Sequence, residues 1–432
     1  MKDERLKVAL VGCGTVGSQV ARMILELDDD LASRIGRPLE LVGIGVRRLE
    51  LERPGIDRNL LTTDLMGLVS RDDLDLVIEV IGGIEPARSV ILRAIESKAS
   101  VVTANKALLA SDGEAIFGAA EAAGVDVYYE AAVAGAIPII RPLRESLVGD
   151  AVTAVMGIVN GTTNFILDKM ASQGASFADA LAEAQHLGFA EADPTADVEG
   201  FDAAAKAAIL AGLAFHSRVR LDDVTREGIT GVTVEDVADA KAMNATIKLI
   251  AKASLAPDDS ISVGVHPTMV ANSHPLASVP GAYNAIFIES RNAGQLMFMG
   301  PGAGGSPTAS AIMGDLVTAA RNRVRGVAGP GESVYSRRAI TPAGQALSGY
   351  FVSLLVADEP GVLASVASAF AAQDVSLQAV RQEAAMVGDD GPLARLGVMT
   401  HLSSNAAVER TLVELGKQPY LQGTPRVLRF EG

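Results

Sequence analysis

The feature that most constrains this chain is the run Gly12-Cys13-Gly14-Thr15-Val16-Gly17, which fits G-x-G-x-x-G. It follows a short apolar stretch at 7–11 and opens a segment with helical periodicity at 15–27. A strand, a glycine turn and a helix in that order suit a dinucleotide. The first glycine permits the tight turn, the second lets backbone approach a pyrophosphate, and the third lets helix and strand pack closely. The helix start then offers unpaired N–H groups and a positive dipole end to the phosphates. Gly12, Gly14, Thr15, Val16 and Gly17 are therefore cofactor-binding candidates, with a purely structural tight turn as the competing reading.

The first 140 residues continue the alternation. Strand signals stand at 39–46, 74–80, 100–103 and 125–129, and helical signals at 86–97 and 107–123. Such alternation predicts a parallel sheet covered on both faces, a Rossmann-type α/β domain over 1–140. The second strand ends Gly45-Val46-Arg47-Arg48. A cofactor lacking the 2′-phosphate usually meets an acidic residue there, whereas arginines suit the phosphate through charge-assisted hydrogen bonds. NADP(H) is expected over NAD(H), against a solvated arginine pair. Thr103-Ala104-Asn105-Lys106 would deliver Thr103 and Lys106 to the crevice beyond the strand ends; a solvated helix-start lysine is the alternative. Gly302 and Gly304, in the run 300–305, can expose N–H groups to a cofactor or substrate.

Composition narrows the function classes. Lys and Arg number 37 against 52 Asp and Glu, a formal net charge of −15, with no Trp and 4% aromatics. Nucleic acid needs basic surface and stacking rings, so it is excluded as a partner. The lone Cys13 allows no disulfide, and its place in the phosphate loop disfavours a thiolate mechanism. The charged start is no signal peptide, and Gly, Pro, Ser and Asn interrupt the long uncharged stretches. A cytoplasmic protein away from membranes is expected.

From 141 the pattern changes to a mixed α+β domain reaching 325. Its Ala-rich helices run to about 215, its strand signals stand at 244–255, 260–270, 282–288 and 295–299, and a helix covers 307–323. The segment 305–325 is expected to pack back on the nucleotide domain. Residues 326–348 read as a linker. The last unit, 349–432, follows a β-α-β-β-α-β order, the ferredoxin-like arrangement.

One stretch concentrates carboxylates: Glu191, Asp193, Asp197, Glu199 and Asp202 precede or open an Ala-rich helix carrying Lys206. Asp202 and Lys206 stand i, i+4 on one helix face. A lysine in such apolar surroundings is costly to bury unless paired, and burial moves its pKa toward a useful acid–base range. An ordinary surface ion pair is the competing reading.

The run 157–167, Gly-Ile-Val-Asn-Gly-Thr-Thr-Asn-Phe-Ile-Leu, resembles the homoserine dehydrogenase family. So does the run 187–194 with Asp197, Gly200, Asp202 and Lys206 behind it; the likeness covers about residues 5–325. Asp358-Glu359-Pro360-Gly361-Val362-Leu363 resembles the start of an ACT domain, an amino-acid-sensing module. The resemblance implies reversible NADP(H)-dependent reduction of L-aspartate 4-semialdehyde to L-homoserine, in threonine, methionine and isoleucine biosynthesis. It implies Lys206 as proton donor, Glu191, Asp202 and Gly188 as substrate-binding residues, and Lys106 beside cofactor and carbonyl. It further implies a sodium site at Glu130 with the carbonyls of Val133, Gly135 and Ile137, for which a loop Glu before a helix start is the alternative. L-threonine would be the effector, held near Asp358 and Gly361, and the enzyme a homodimer or homotetramer.

Overall fold

The computed structural model describes residues 5–331, 335–388 and 391–432. The chain divides into two compact units, each assembled from three segments: Met1–Val152, Ala208–Leu221 and Asn284–Arg337 in the first, and Thr153–Ala207, Asp222–Tyr283 and Arg338–Gly432 in the second.

Among the described residues, the first unit contains a six-stranded parallel sheet. Its spatial order is Leu61–Thr62, Leu39–Gly45, Leu6–Val11, Leu76–Glu79, Ser100–Thr103, Val127–Tyr128. The order grows outward on both sides of the first strand, so connections diverge between Leu6–Val11 and Leu76–Glu79, the kind of switch point that binds ligands. Both faces are buried because successive side chains alternate. Val8 and Leu10 join Leu76 and Ile78 under helices Thr15–Glu26 and Gly305–Arg325, while Ala9, Val11 and Val77 face helices Ala87–Glu96 and Lys106–Ala123. Helix Gly305–Arg325 contributes Ala309, Ile312, Met313, Leu316, Ala319 and Ala320, a stripe at helical spacing that buries one face. Each large apolar side chain sunk here contributes about 1.5–3 kcal/mol.

A helix at Asp28–Ile35 stands between helix Thr15–Glu26 and the second strand. Its causes are local. Three aspartates occupy the first turn, Arg34 the last, and Gly36 ends it at φ +94°.

In the second unit the strands lie in the order Val152–Ile158, Ala245–Leu255, Ile261–Ala271, Leu421–Glu431, Leu347–Ala357, Gly391–Thr400, Leu377–Gly388. Among the described residues, these strands pair antiparallel except where Thr268–Val270 run parallel to Arg429–Glu431, and the short strand Thr225–Arg226 adds a parallel pair at Gly264–Val265. The terminal segment has the expected β-α-β-β-α-β order, with helices Val362–Ala371 and Asn405–Leu415. Alternation decides its faces: Tyr350, Val352, Leu354 and Val356 pack on Val366, Phe370, Val408 and Leu415. Ser353, pointing the other way, donates to Asp239 at 2.8 Å, and Arg426 pairs with the same carboxylate at 2.5 Å. Helix Val234–Ala242, which carries Asp239, thereby lies on the opposite side of that sheet. Among the described residues, no helix is long and apolar enough to cross a membrane.

Candidate active site

The glycine loop stands where its sequence requires. Gly12 has φ +110°, and a Cβ there would come 2.8 Å from the Val80 carbonyl. At Gly17 a Cβ would come 2.1 Å from the Gly12 carbonyl, so the helix can sit this close only with glycine. At Gly14 nothing lies within 4 Å, which leaves its backbone open to a ligand. A cavity of about 380 Å³ spans the carboxyl ends of the first, second and fourth strands, lined by Gly12, Gly14, Arg47, Arg48 and Arg53 among others. Its size is in the range of small-molecule sites. Arg47 and Arg48 are exposed; Arg53 is half-buried and donates to the carbonyls of Leu51 and Arg48 at 2.8 and 3.1 Å. Burial pushes the Cys13 thiol up, with Arg53 opposing it, which disfavours a thiolate.

Thr103 and Lys106 stand at the end of Ser100–Thr103 and the start of helix Lys106–Ala123. The Thr103 hydroxyl is committed: it donates to Glu79 Oε2 at 2.6 Å. Glu79, wholly buried, also accepts from the backbone of Ile81 and Gly82 and so fixes the loop after its strand. Gly302 and Gly304 belong to a turn that touches the dinucleotide helix, since a Cβ on Gly305 would lie 3.0 Å from the Thr15 carbonyl.

The lysine pair is assembled in the second unit. Val159 follows strand Val152–Ile158, and Asn160 caps helix Gly161–Gln173 by accepting from the Thr163 N–H. Lys206, on helix Phe201–Phe215, is 8% exposed. Its Nζ donates to the Val159 carbonyl at 2.6 Å and to Asp202 Oδ2 at 2.7 Å. Those two acceptors compensate an ammonium that Ala203, Ala204 and Ala207 would otherwise desolvate at high cost. The surface-pair alternative is thus replaced by a buried, aimed cation. The Asn160 amide donates to Asp197 at 2.7 Å and to Asp202 at 3.0 Å, drawing both carboxylates to the same corner.

Gly188 and Glu191 lie in the loop between helices Phe177–His186 and Thr195–Val198, both exposed, Gly188 at φ +77°. Thr162 ties this loop to the capped helix by donating to the Phe189 carbonyl at 2.6 Å, and Phe189 meets the Phe165 ring at 5.0 Å.

Around Glu130 the carboxylate is already spent. Oε1 accepts from the Ile139 and Ile140 N–H groups at 2.5 and 2.7 Å, and Oε2 from Arg141 at 3.0 Å. That is a cap on the following turn, so the side chain does not fit a cation ligand; the carbonyls of Val133, Gly135 and Ile137 remain as hard oxygen donors. Gly135 sits at φ +58°, where a Cβ would strike Gly302 at 2.5 Å. Among the described residues, no group of three or more His, Cys, Asp or Glu could hold a metal. Beneath, Asp315 accepts from the Glu130 N–H and from Arg141, and burial pushes its carboxyl up to about 7. In the terminal segment, Asp358 accepts from Gln382 at 3.0 Å and Gly361 caps helix Val362–Ala371 at φ +94°.

Three residues had no role assigned from sequence. Asn160 was legible only as an N-cap type before Gly-Thr-Thr. Asn164 and Lys248 form a buried pair at 2.9 Å, with Lys248 also donating to the Val279 carbonyl at 2.7 Å. Burial holds the Lys248 ammonium down to about 8. A lysine inside an alternating strand carries no local mark of such a partner.

Two family models match the chain: "Homoserine dehydrogenase" over residues 138–317 and "Homoserine dehydrogenase, NAD binding domain" over 12–130. A homoserine dehydrogenase of Mycobacterium tuberculosis is 54% identical over 438 residues, covering 100% of this chain and 99% of the relative. The crystal structure of a homoserine dehydrogenase from Thiobacillus denitrificans superposes with a TM-score of 0.90 at 36% identity, covering 100% and 99%. A hyperthermophilic archaeal homoserine dehydrogenase in complex with NADPH gives 0.64 at 28% identity, covering 76% of this chain and 100% of its own.

Proposed function

The chain belongs to the homoserine dehydrogenase family, oxidoreductases that interconvert L-aspartate 4-semialdehyde and L-homoserine with a nicotinamide cofactor, and from that premise we propose which of its residues do the work. The observation that carries the reading is the buried Lys206 ammonium, held between the Val159 carbonyl and Asp202.

Gly12, Gly14, Thr15, Val16 and Gly17 hold the pyrophosphate through backbone N–H groups at the helix start. Arg47 and Arg48 take the 2′-phosphate of NADP(H), and Lys106, Gly302 and Gly304 complete the binding surface. Bound there, the coenzyme supplies or accepts the hydride. Lys206 stabilises the oxygen that becomes negative as the aldehyde is reduced, and gives it a proton; in the reverse direction its neutral amine takes that proton back. Glu191 and Asp202 hold the substrate ammonium group near Gly188, which fixes the carbonyl and lowers the entropic cost of reaction. Asp202 also orients the Lys206 side chain.

A sodium ion would rest on the carbonyls of Val133, Gly135 and Ile137, with Glu130 shaping their loop through its three backbone acceptances. The segment from 349 onward is assigned to the ACT class, supported by its β-α-β-β-α-β order, and L-threonine to the region of Asp358 and Gly361. A homodimer or homotetramer in the cytoplasm completes the reading.

The test replaces Lys206 by Met and follows NADPH absorbance with aspartate semialdehyde. Turnover should vanish while NADPH binding, read by its fluorescence, is retained. Wild-type turnover in that variant moves the proton donor elsewhere.

A further inference from the structure

Asn160 sits at the hinge between strand Val152–Ile158 and helix Gly161–Gln173, and is 5% exposed. Its two amide atoms do different things. Oδ1 accepts from the Thr163 N–H at 2.9 Å and the Thr163 hydroxyl at 3.1 Å. Nδ2 donates to Asp197 Oδ1 at 2.7 Å and to Asp202 Oδ2 at 3.0 Å. The second acceptor is the same oxygen that receives the Lys206 ammonium. A flipped amide would set its oxygen against two carboxylates and its NH₂ against the Thr163 N–H, so the orientation is locked by charge and by the cap together. The preceding residue, Val159, supplies the other acceptor of Lys206. Two successive backbone positions therefore fix the lysine directly and its carboxylate through an amide.

A cap alone does not require asparagine. Serine, aspartate and asparagine cap helices about equally well. The amide accepts from the helix while its NH₂ donates to two carboxylates; ionised aspartate cannot donate, and a serine hydroxyl has one hydrogen and a shorter reach.

We propose that Asn160 is a positioning residue for the hydride-transfer reaction: it holds the Asp202 carboxylate at the angle that aims Lys206 and brings Asp197 to the same edge. The proposal rests on Lys206 as the proton donor. Left without the amide, Asp202 can rotate away from the ammonium, and a misplacement of about 1 Å costs up to about 10²-fold in rate.

The experiment compares Asn160→Ser, Asn160→Asp and Lys206→Met in the full-length enzyme. Both Asn160 variants keep an oxygen for the Thr163 N–H; the serine variant's thermal midpoint should stay near wild type, the aspartate variant's should fall through repulsion from Asp197 and Asp202, and NADPH affinity should be unchanged in both. With homoserine as substrate, kcat of the serine variant should fall about 10- to 100-fold. In the aspartate variant, a third carboxylate beside Lys206 favours its charged form. Homoserine oxidation needs the neutral amine, so the acid limb of the kcat–pH profile should move up by about one unit. A residue that only caps would move neither kcat nor that limb. Wild-type kcat and an unmoved limb in both variants, with Lys206→Met inactive, overturn the positioning role and leave the proton donor standing. Activity in Lys206→Met overturns the donor itself.

Discussion

Lys206 and Asp202 stand one turn apart on the same helix, joined at 2.7 Å, with each side chain only 10% exposed. Such a pair is valuable for aim rather than for stability, since desolvation offsets much of the Coulombic gain. Asp202→Asn preserves shape and one hydrogen-bonding oxygen but removes the charge that favours the ammonium. It should lower kcat for semialdehyde reduction by about 10²-fold. Stopped-time NADPH absorbance over a substrate range checks this, and an unchanged kcat would show that Lys206 needs no carboxylate.

Arg47 and Arg48 distinguish the two nicotinamide cofactors only if they meet the 2′-phosphate. Replacing both by Ala should weaken NADPH about 10-fold or more while leaving NADH within about twofold, because a lost charge-assisted contact is worth about 1.5–3 kcal/mol. Fluorescence titration of each cofactor decides it. Equal losses for the two would defeat the assignment.

The glycines of the loop separate folding from binding. Gly17→Ala would force a Cβ to 2.1 Å from the Gly12 carbonyl, whereas Gly14→Ala meets nothing within 4 Å. The first variant should lose stability and cofactor together. The second should keep its thermal midpoint yet bind NADPH more weakly, its methyl filling the open approach. Calorimetric scans with and without NADPH report both quantities.

His266 gives the second unit an acid sensitivity. Burial, with repulsion from Arg429, pushes its imidazole down to about 3, against about 6.5 in an unfolded chain. Between those values the unfolded chain binds the proton and the folded one does not. Stability is thus fully present above pH 6.5 and is lost as pH falls toward 3, by about 1.4 kcal/mol per unit. His266→Gln should remove about 2 kcal/mol from the drop between pH 7 and pH 5. Urea midpoints at the two pH values measure it; identical drops in both proteins would locate the sensitivity elsewhere.

L-Threonine, added to the homoserine-dependent NADP assay, should reduce turnover, and Asp358→Ala should relieve the effect without altering the uninhibited rate. Inhibition that survives the substitution places the effector away from Asp358 and Gly361.

Much of this was legible in the chain. The glycine loop, the alternation through residue 140 and the terminal β-α-β-β-α-β order are local signals, and local signals survive into structure. Helix Asp28–Ile35 is marked in sequence by its acidic first turn and Gly36 stop more than by an apolar stripe, since only Leu31 and Ile35 are buried. The Asp202–Lys206 spacing was readable, but its burial was not, because the Val159 carbonyl that compensates it lies 47 residues away. Glu130 shows the limit from the other side. Its residue type suits a cation, yet three backbone N–H groups take both oxygens, a competition that only folded geometry reveals.

The two units exchange the main chain five times, at 152/153, 207/208, 221/222, 283/284 and 337/338. No single scission of the backbone can leave each unit whole on its own fragment. A gene joined to another at any one crossover would split at least one of the two, so exchanging one half cleanly for another takes more than one crossover.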